Sequence, residues 1–509
     1  MIPEPQQNQR YRQSVLIPIT PMNPIGPIFF SSLGPRPSAL STKRISTWKI
    51  SPIFLMIFLA FAVPAKASLP PGIDTLQVST GFLASPQSSF PFWAWANQNG
   101  RIPTQSSSSS LGPQHSALST LFTRLRVNKH ADDEKTFDWC YGVDVTARTN
   151  STQDIIFTDA YTALTYKQFK LTIGRKAETF GLVDSLLSAG SECYSQNAPT
   201  IPKVALSTNG YVEITDNLAI NAYLAHGWMG KEQYVKNAYL HEKYFYLRLG
   251  GTGRDNGINF FAGVHDIASW GGEGQPSSLS DYYRVFFSRP AAPGTGTIID
   301  QNGALGDHRG TIEFALQQKD TDRDWFLYAQ HMFEDGSGLR FWYPGNFLLG
   351  VSMINKEKES TIKRINLEIL DLRFDGNSHG QDLDNYFMSS GYSGWVHQGY
   401  AIGTPFVPFI QGTDYWYTPQ NRVQVINAGI RLSFTKLFNP RVRIACIQNF
   451  GSFMAPLPEN QATTILACDI TNTTPITKTW ALTQQIALDA GKTIHPNPAI
   501  GLTITKTID

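Results

Sequence analysis

Three places in this 509-residue sequence set an imidazole beside or near a carboxylate: His265-Asp266, Asp307-His308, and His331 with Glu334 and Asp335 close behind. A histidine base with an acidic partner is the arrangement of hydrolysis. Neighbouring residues of a strand face opposite sides, so neither His-Asp dipeptide pairs across one face. No G-x-S-x-G nucleophile motif occurs. These residues read instead as a non-catalytic polar network of a barrel lumen that satisfies itself by hydrogen bonding. Arg254, Asp255, Tyr283, Arg284, Arg309 and Glu313 cluster in the same stretches and belong with His265, Asp266, Asp307, His331 and Glu334 in that network.

A second chemistry is carried by rings beside polar groups. Sugars offer hydroxyls to Asp, Asn and Arg, and C–H faces to aromatic rings. Candidate contacts are Trp270, Trp342-Tyr343, Tyr392 with Trp395, and Asp414-Tyr415-Trp416-Tyr417, the last being the densest aromatic cluster. Asp375, Asn377, Asp382 and Asp384 offer oxygens near glycines, but their spacing fits no EF-hand loop, and no metal or cofactor is expected. Cys140, Cys193, Cys446 and Cys468 form no CxxC pair; one or two disulfides are open to them, and Cys446 with Cys468 could staple a loop.

The elements that must position these residues are strands. Phe137 to Arg148, FDWCYGVDVTAR, alternates without a slip, apolar on one face and polar on the other. Similar runs occur at 311–317, 426–434 and 500–505, and further candidates lie at 154–167, 169–175, 218–228, 239–249, 258–270, 283–289, 324–334, 346–356 and 441–448. Arg364 to Phe374 alternates too, with a parity flip near Ile369–Leu370 that a β-bulge would produce. A sandwich strand usually has about five or six residues. Runs of ten or so, polar on one side and joined by short turns and longer loops, fit an outer-membrane barrel. The spacing predicts about 16 to 18 strands.

Composition agrees. Charged residues make up 16% and aromatics 12%, where an average soluble protein has roughly 25% charged. The formal net charge of +2, with no basic run, argues against a nucleic-acid partner. Lys43, Arg44 and Lys49 precede the apolar run Ile53–Val63, followed by Pro64 and Ala65-Lys66-Ala67. That is a signal peptide cleaved near Ala67, so 1–67 is a lead plus signal and the remainder is exported. No later stretch is long and apolar enough to span a bilayer as a helix. A membrane form must therefore be a closed barrel.

Several stretches resemble the Wzi-like capsule-assembly family of outer-membrane proteins. They are Pro91-Phe-Trp-Ala-Trp-Ala-Asn-Gln-Asn-Gly-Arg101, Gly263-Val-His-Asp-Ile-Ala-Ser-Trp-Gly-Gly272 and Asp281-Tyr-Tyr-Arg-Val-Phe-Phe287. Gly306-Asp-His-Arg-Gly-Thr-Ile-Glu313, Gln330 to Gly338, Asn385-Tyr-Phe and Gly399-Tyr-Ala-Ile-Gly-Thr-Pro-Phe406 continue the series in order. The acidic last residue, Asp509, and the long lead depart from the pattern. The resemblance implies an all-β, transmembrane antiparallel barrel of 18 strands with inward-folding loops. A small helical or irregular N-terminal plug toward the periplasm would correspond to 68–117 and the barrel to 118–509. It implies a lectin-like protein without catalysis. The expected setting is outer-membrane lipid at the surface of a Gram-negative cell, with the protein a monomer. Such a protein holds capsular polysaccharide and helps assemble the capsule. The alternative is a porin or substrate-specific outer-membrane channel.

Overall fold

A strand exposed to lipid must satisfy both of its edges, because hydrocarbon offers no hydrogen bonds. The computed structural model describes residues 69–70, 72–104, 117–132, 134–149, 155–251, 257–334, 346–373, 387–389, 391–412 and 415–509. Within them, eighteen strands pair each with the next, all antiparallel. They are β1 (Thr75–Ser85), β2 (Leu118–Lys129), β3 (Phe137–Arg148), β4 (Ile155–Tyr166), β5 (Phe169–Arg175) and β6 (Lys203–Thr208, resumed as Val212–Thr215). Next come β7 (Leu218–Gly230), β8 (Ala238–Leu249), β9 (Gly257–Trp270), β10 (Asp307–Lys319), β11 (Arg323–Phe333) and β12 (Phe347–Asn355). The last six are β13 (Ile362–Asp371), β14 (Val423–Leu432), β15 (Arg441–Asn449), β16 (Thr463–Pro475), β17 (Trp480–Gly491) and β18 (Ile494–Ile508). β1 pairs with β18 from Leu76↔Ile508 to Ala84↔Ile500, so no edge is left.

The face question raised by FDWCYGVDVTAR is answered by exposure. Phe137 and Trp139 are 58% and 44% exposed on the outside, while Asp138, Cys140, Gly142 and Asp144 point into the lumen and are buried. Phe260, Val264, Phe314, Leu316, Leu367 and Ile369 continue the exposed apolar band on other strands. Such a band on a closed barrel faces hydrocarbon.

The two ends differ. One carries both ends of the described chain and the tight turns 167–168, 320–322 and 476–479; the other carries the long connections 86–117, 176–202, 271–306 and 372–422. In outer-membrane barrels the turns lie in the periplasm and the long loops outside.

Four departures from the sequence reading follow. The wall begins at Thr75, not near 118, because Thr75–Ser85 is β1, paired on both sides. The segment after it, 86–104 with helix α1 (Phe92–Trp95), enters the lumen from the loop end rather than the periplasmic end. It shares that space with 176–202 and 387–412. The expected strand at 283–289 is mostly a helix, α2 (Leu279–Phe286), followed by α3 (Ile298–Asn302). Ser278 accepts the Asp281 amide and the Asp281 carboxylate accepts the Ser278 amide, a capping box that starts α2. Last, no bulge occurs at Ile369–Leu370; the register shift on that strand lies between Ile362 and Arg364. Leu370 faces inward like Glu368, and is apolar because the lumen there is filled with side chains.

Candidate functional site

The plug is built from backbone bonds between loops far apart in sequence. Asn99 N donates to the Gln196 carbonyl at 2.7 Å, Gly100 N to Asn197 at 3.0 Å, Ser195 N to Ile402 at 2.9 Å and Thr404 N to Glu192 at 2.9 Å. Side chains lock the same seams. Trp395 is 1% exposed, and its Nε1 donates to the Cys193 carbonyl at 2.8 Å. The Tyr400 hydroxyl donates to the Ile102 carbonyl at 2.8 Å. On the wall, Asp489 Oδ2 accepts the Phe92 amide at 2.8 Å, and Arg443 donates to the Trp93 carbonyl with its guanidinium 4.3 Å from the Trp93 ring. Around these bonds packs a core of Trp93, Phe387, Trp395, Phe406, Val423 and Leu370.

Below this core sits the densest polar cluster. Lys203 Nζ lies 2.7 Å from Glu242 and 3.7 Å from Glu178, under the rings of Phe180, Tyr194 and Tyr223 at 4.7, 5.1 and 5.4 Å. His265 Nε2 is 3.1 Å from Glu242 and its Nδ1 is 3.9 Å from Cys193 Sγ. Cys, His and Glu in that order are the parts of a nucleophile, its base and an orienting acid. All three are fully enclosed, so no substrate reaches the sulfur, and the set acts as a tie between plug and wall. The spacing of 193, 242 and 265 hides this trio in the sequence; an acidic residue on β8 diagonal to a histidine on β9, on the same face, is its one legible trace.

A second group joins three loops. Arg309 pairs with Asp307 at 3.0 Å and with Glu334, and stacks 5.3 Å from Trp395. Glu334 accepts the Phe387 amide at 2.9 Å. Glu313 accepts Tyr246 at 2.8 Å and Thr311 at 2.7 Å, as well as the Leu182 amide. In the plug loop, both carboxylate oxygens of Glu192 are buried without a hydrogen bond. Burial, then the charge of Glu313, raises its pKa well above the ordinary carboxylate range. His397, also in a loop, is pushed down to about 3 by burial and by Arg175, and so stays neutral.

Of the residues expected in the polar network, His265, Asp307, Arg309, Glu313 and Glu334 lie in the lumen or at its mouth. Asp266 does not. It shares a face with Lys243 on β8, opposite to His265, and that face is the outer one. Lys243 bonds Asp266 at 2.7 Å, His308 meets Asp266 at 3.2 Å, and α2 covers the group, taking Lys243 Nζ at its Phe286 carbonyl. Tyr283 and Arg284 sit on α2, outside the wall. His331 also faces outward, because its strand neighbours Gln330 and Met332 face in. Arg254 and Asp255 lie outside the described residues.

The expected sugar-contacting rings separate likewise. Trp270 is buried on the outer wall against Tyr239 and Tyr282. Tyr392 and Trp395 are buried in the plug. Tyr415 and Tyr417 are 52% and 37% exposed at the loop end, where Trp416-Tyr417 pairs with Ile410-Gln411. Their rings stand 5.8 Å apart at 47°, and Ser393 holds Trp416 through its amide and carbonyl at 2.8 and 2.7 Å. Trp342, Tyr343 and Asp414 lie outside the described residues, as do Asp375, Asn377, Asp382 and Asp384. All four cysteines are free. Cys446 and Cys468 face outward on adjacent strands, but each pairs with a different residue, Leu466 and Ile444, so they do not staple a loop.

The family described as capsule assembly protein Wzi matches residues 89–492 of this chain. Among solved structures, the chain is similar to Escherichia coli Wzi, described as an outer-membrane protein involved in group 1 capsule assembly and as a carbohydrate-binding β-barrel. The TM-score is 0.53 at 14% identity, over 89% of this chain and 86% of that one. Pseudomonas aeruginosa OccK9 aligns at TM-score 0.44 and 8% identity, over 85% of this chain and 97% of that one. Acinetobacter baumannii OccAB4 aligns at 0.40 and 10%, over 86% and 99%. No curated protein sequence matches the chain.

Proposed function

The chain belongs to the family of capsule assembly protein Wzi, and from that premise we propose that it is a lectin-like, non-enzymatic barrel that holds capsular polysaccharide at the cell surface. The exposed pair Tyr415 and Tyr417 carries this reading. It presents two ring faces to solvent at the loop end of a plugged barrel. Rings of this kind stack on the C–H faces of sugars, and the neighbouring Gln411 side chain supplies both a donor and an acceptor for hydroxyls. The absence of catalysis is supported by the burial of Cys193, His265 and Glu242. A Gram-negative outer membrane, reached after cleavage near Ala67, completes the proposal; sequencing the amino terminus of the mature protein tests the cleavage.

The test is binding of purified capsular polymer to refolded protein. Tyr415→Ala with Tyr417→Ala should weaken it at least tenfold, about 1.4 kcal/mol, since both ring faces are lost. Equal binding by the double variant would remove the rim from the mechanism. The channel reading is favoured by no observation, because the lumen is closed by side chains at the loop end.

A further inference from the structure

The lumen is not filled at its periplasmic mouth, on the side of β12 to β16. Beneath Leu186 of the plug lies a cavity of about 800 Å³ that opens among the short turns. Arg364 on β13 is the register partner of Arg431 on β14, and Arg431 is the partner of Arg441 on β15. Adjacent strands are about 4.8 Å apart, so three guanidiniums form one row across the inner wall. Arg443 stands two residues deeper.

Like charges set directly opposite each other in a sheet repel, so each should have a counter-charge. Arg364 has Asp184 at 2.7 Å, and Arg443 has Asp469 at 2.6 Å. Arg441 reaches the same Asp469 only at 3.8 Å, and its Nε is buried with no hydrogen bond. Arg431 makes no hydrogen bond or ion pair among the described residues and is exposed to the cavity. Four guanidiniums thus share two carboxylates, and the unsatisfied pair, Arg431 and Arg441, sits side by side on the open wall.

The remaining polar lining is Lys363 together with amides and hydroxyls, among them Asn439 and Thr471. Guanidinium forks bind planar carboxylates and phosphates in bidentate fashion. Amides and hydroxyls match sugar hydroxyls, which both donate and accept. The volume falls within the range of small-ligand pockets, about 300–1,000 Å³.

We propose that this vestibule is a second binding site, at the end opposite the tyrosine rim, for an anionic saccharide segment whose carboxylate or phosphate is clasped by Arg431 and Arg441. The site does not depend on the rim, and its test separates the two. Refolded full-length barrel in detergent is titrated calorimetrically at low salt with trigalacturonate, glucose 1-phosphate, maltotriose and inorganic phosphate. The expected result is binding of an anionic sugar and none of neutral maltotriose; the uronate and the sugar phosphate distinguish the two anions. Arg431→Gln, whose side chain has no partner to lose, should weaken that binding at least tenfold, and Arg431→Gln with Arg441→Gln should abolish it. Tyr415→Ala with Tyr417→Ala should leave it unchanged. No binding of either anionic sugar, equal binding by the arginine variants, or phosphate binding as tight as that of the sugars overturns the proposal.

Discussion

At the scale of single residues, the plug is held by charges that have left water, and each needs its partner. Lys203 is enclosed by rings and by Glu242 and Glu178, so its charge is matched where it sits. Glu192 is the opposite case, a carboxyl with neither oxygen bonded. Its pKa in the folded chain is raised, so the folded state keeps a proton that the unfolded state releases above about 4.5. Stability from this group is therefore complete below that value and is lost as the pH rises through the folded pKa. Glu192→Gln mimics the protonated acid at every pH. It should slow exchange of the Ala189–Ser195 amides at pH 8, by an opening free energy of about 1 kcal/mol or more. At pH 4 variant and parent should coincide. A difference of equal size at both pH values would show that protonation is not what Glu192 contributes.

At the scale of elements, most strands are legible and their surroundings are not; β1, β2, β6, β16 and β17 lie outside the predicted runs. Period-two alternation places Phe137, Trp139 and Val143 on one face whatever lies beyond it, and the long runs matched the observed strands closely. Alternation does not tell which face is the lumen. Asp266 and His331 are polar as lumen residues are, yet they face out with Lys243 and Leu327. The plugged part of the lumen also inverts the pattern, so the parity flip at Leu370 marks core and not a bulge. Of the candidate rim, Tyr415 and Tyr417 were visible as a cluster of rings, but exposure alone separates them from Trp395, which a sequence cannot supply. In the loop 271–306, the apolar run at 283–289 has strand character, but Ser278-x-x-Asp281 ahead of it is a helix start and decides the local structure. That loop shields Lys243, Asp266 and His308 at the upper edge of the apolar band, with Leu279 and Phe287 turned outward. Val285 is the pin of this cover, fully buried against Trp270 and Leu305. Val285→Asp should release α2 at a cost of about 3 kcal/mol or more, seen as protease cleavage within 271–306 while the β-sheet circular dichroism of the barrel stays unchanged. Tyr283→Asp, on the exposed side of the same helix, is the control. Cleavage of both variants alike would mean that α2 is not docked through Val285.

At the scale of the whole molecule, wall and plug carry different loads. The wall closes through β1 and β18 and needs no help from the lumen to satisfy its backbone. The plug is a small core of its own, with Trp93, Phe387, Trp395 and Phe406 at its centre, tied to the wall by Glu313, Glu368 and Asp489. It divides the lumen into a basic vestibule below and a ring-bearing rim above. A barrel that carried solutes would keep a continuous path between these two; here the path is interrupted by packed side chains. In planar bilayers the protein should thus pass little current. Trp395 offers the sharpest lever, since it joins 387–412 to 176–202 through Cys193 and lies against Arg309. Trp395→Ala removes a filled volume that typically contributes about 3–5 kcal/mol, without touching any strand-to-strand bond. The expected outcome is an unchanged folded fraction with frequent, brief openings above the parent's baseline, since a loosened plug moves while the wall holds. If the parent itself conducts steadily, the plug does not seal the barrel, and the division of labour between wall and plug fails.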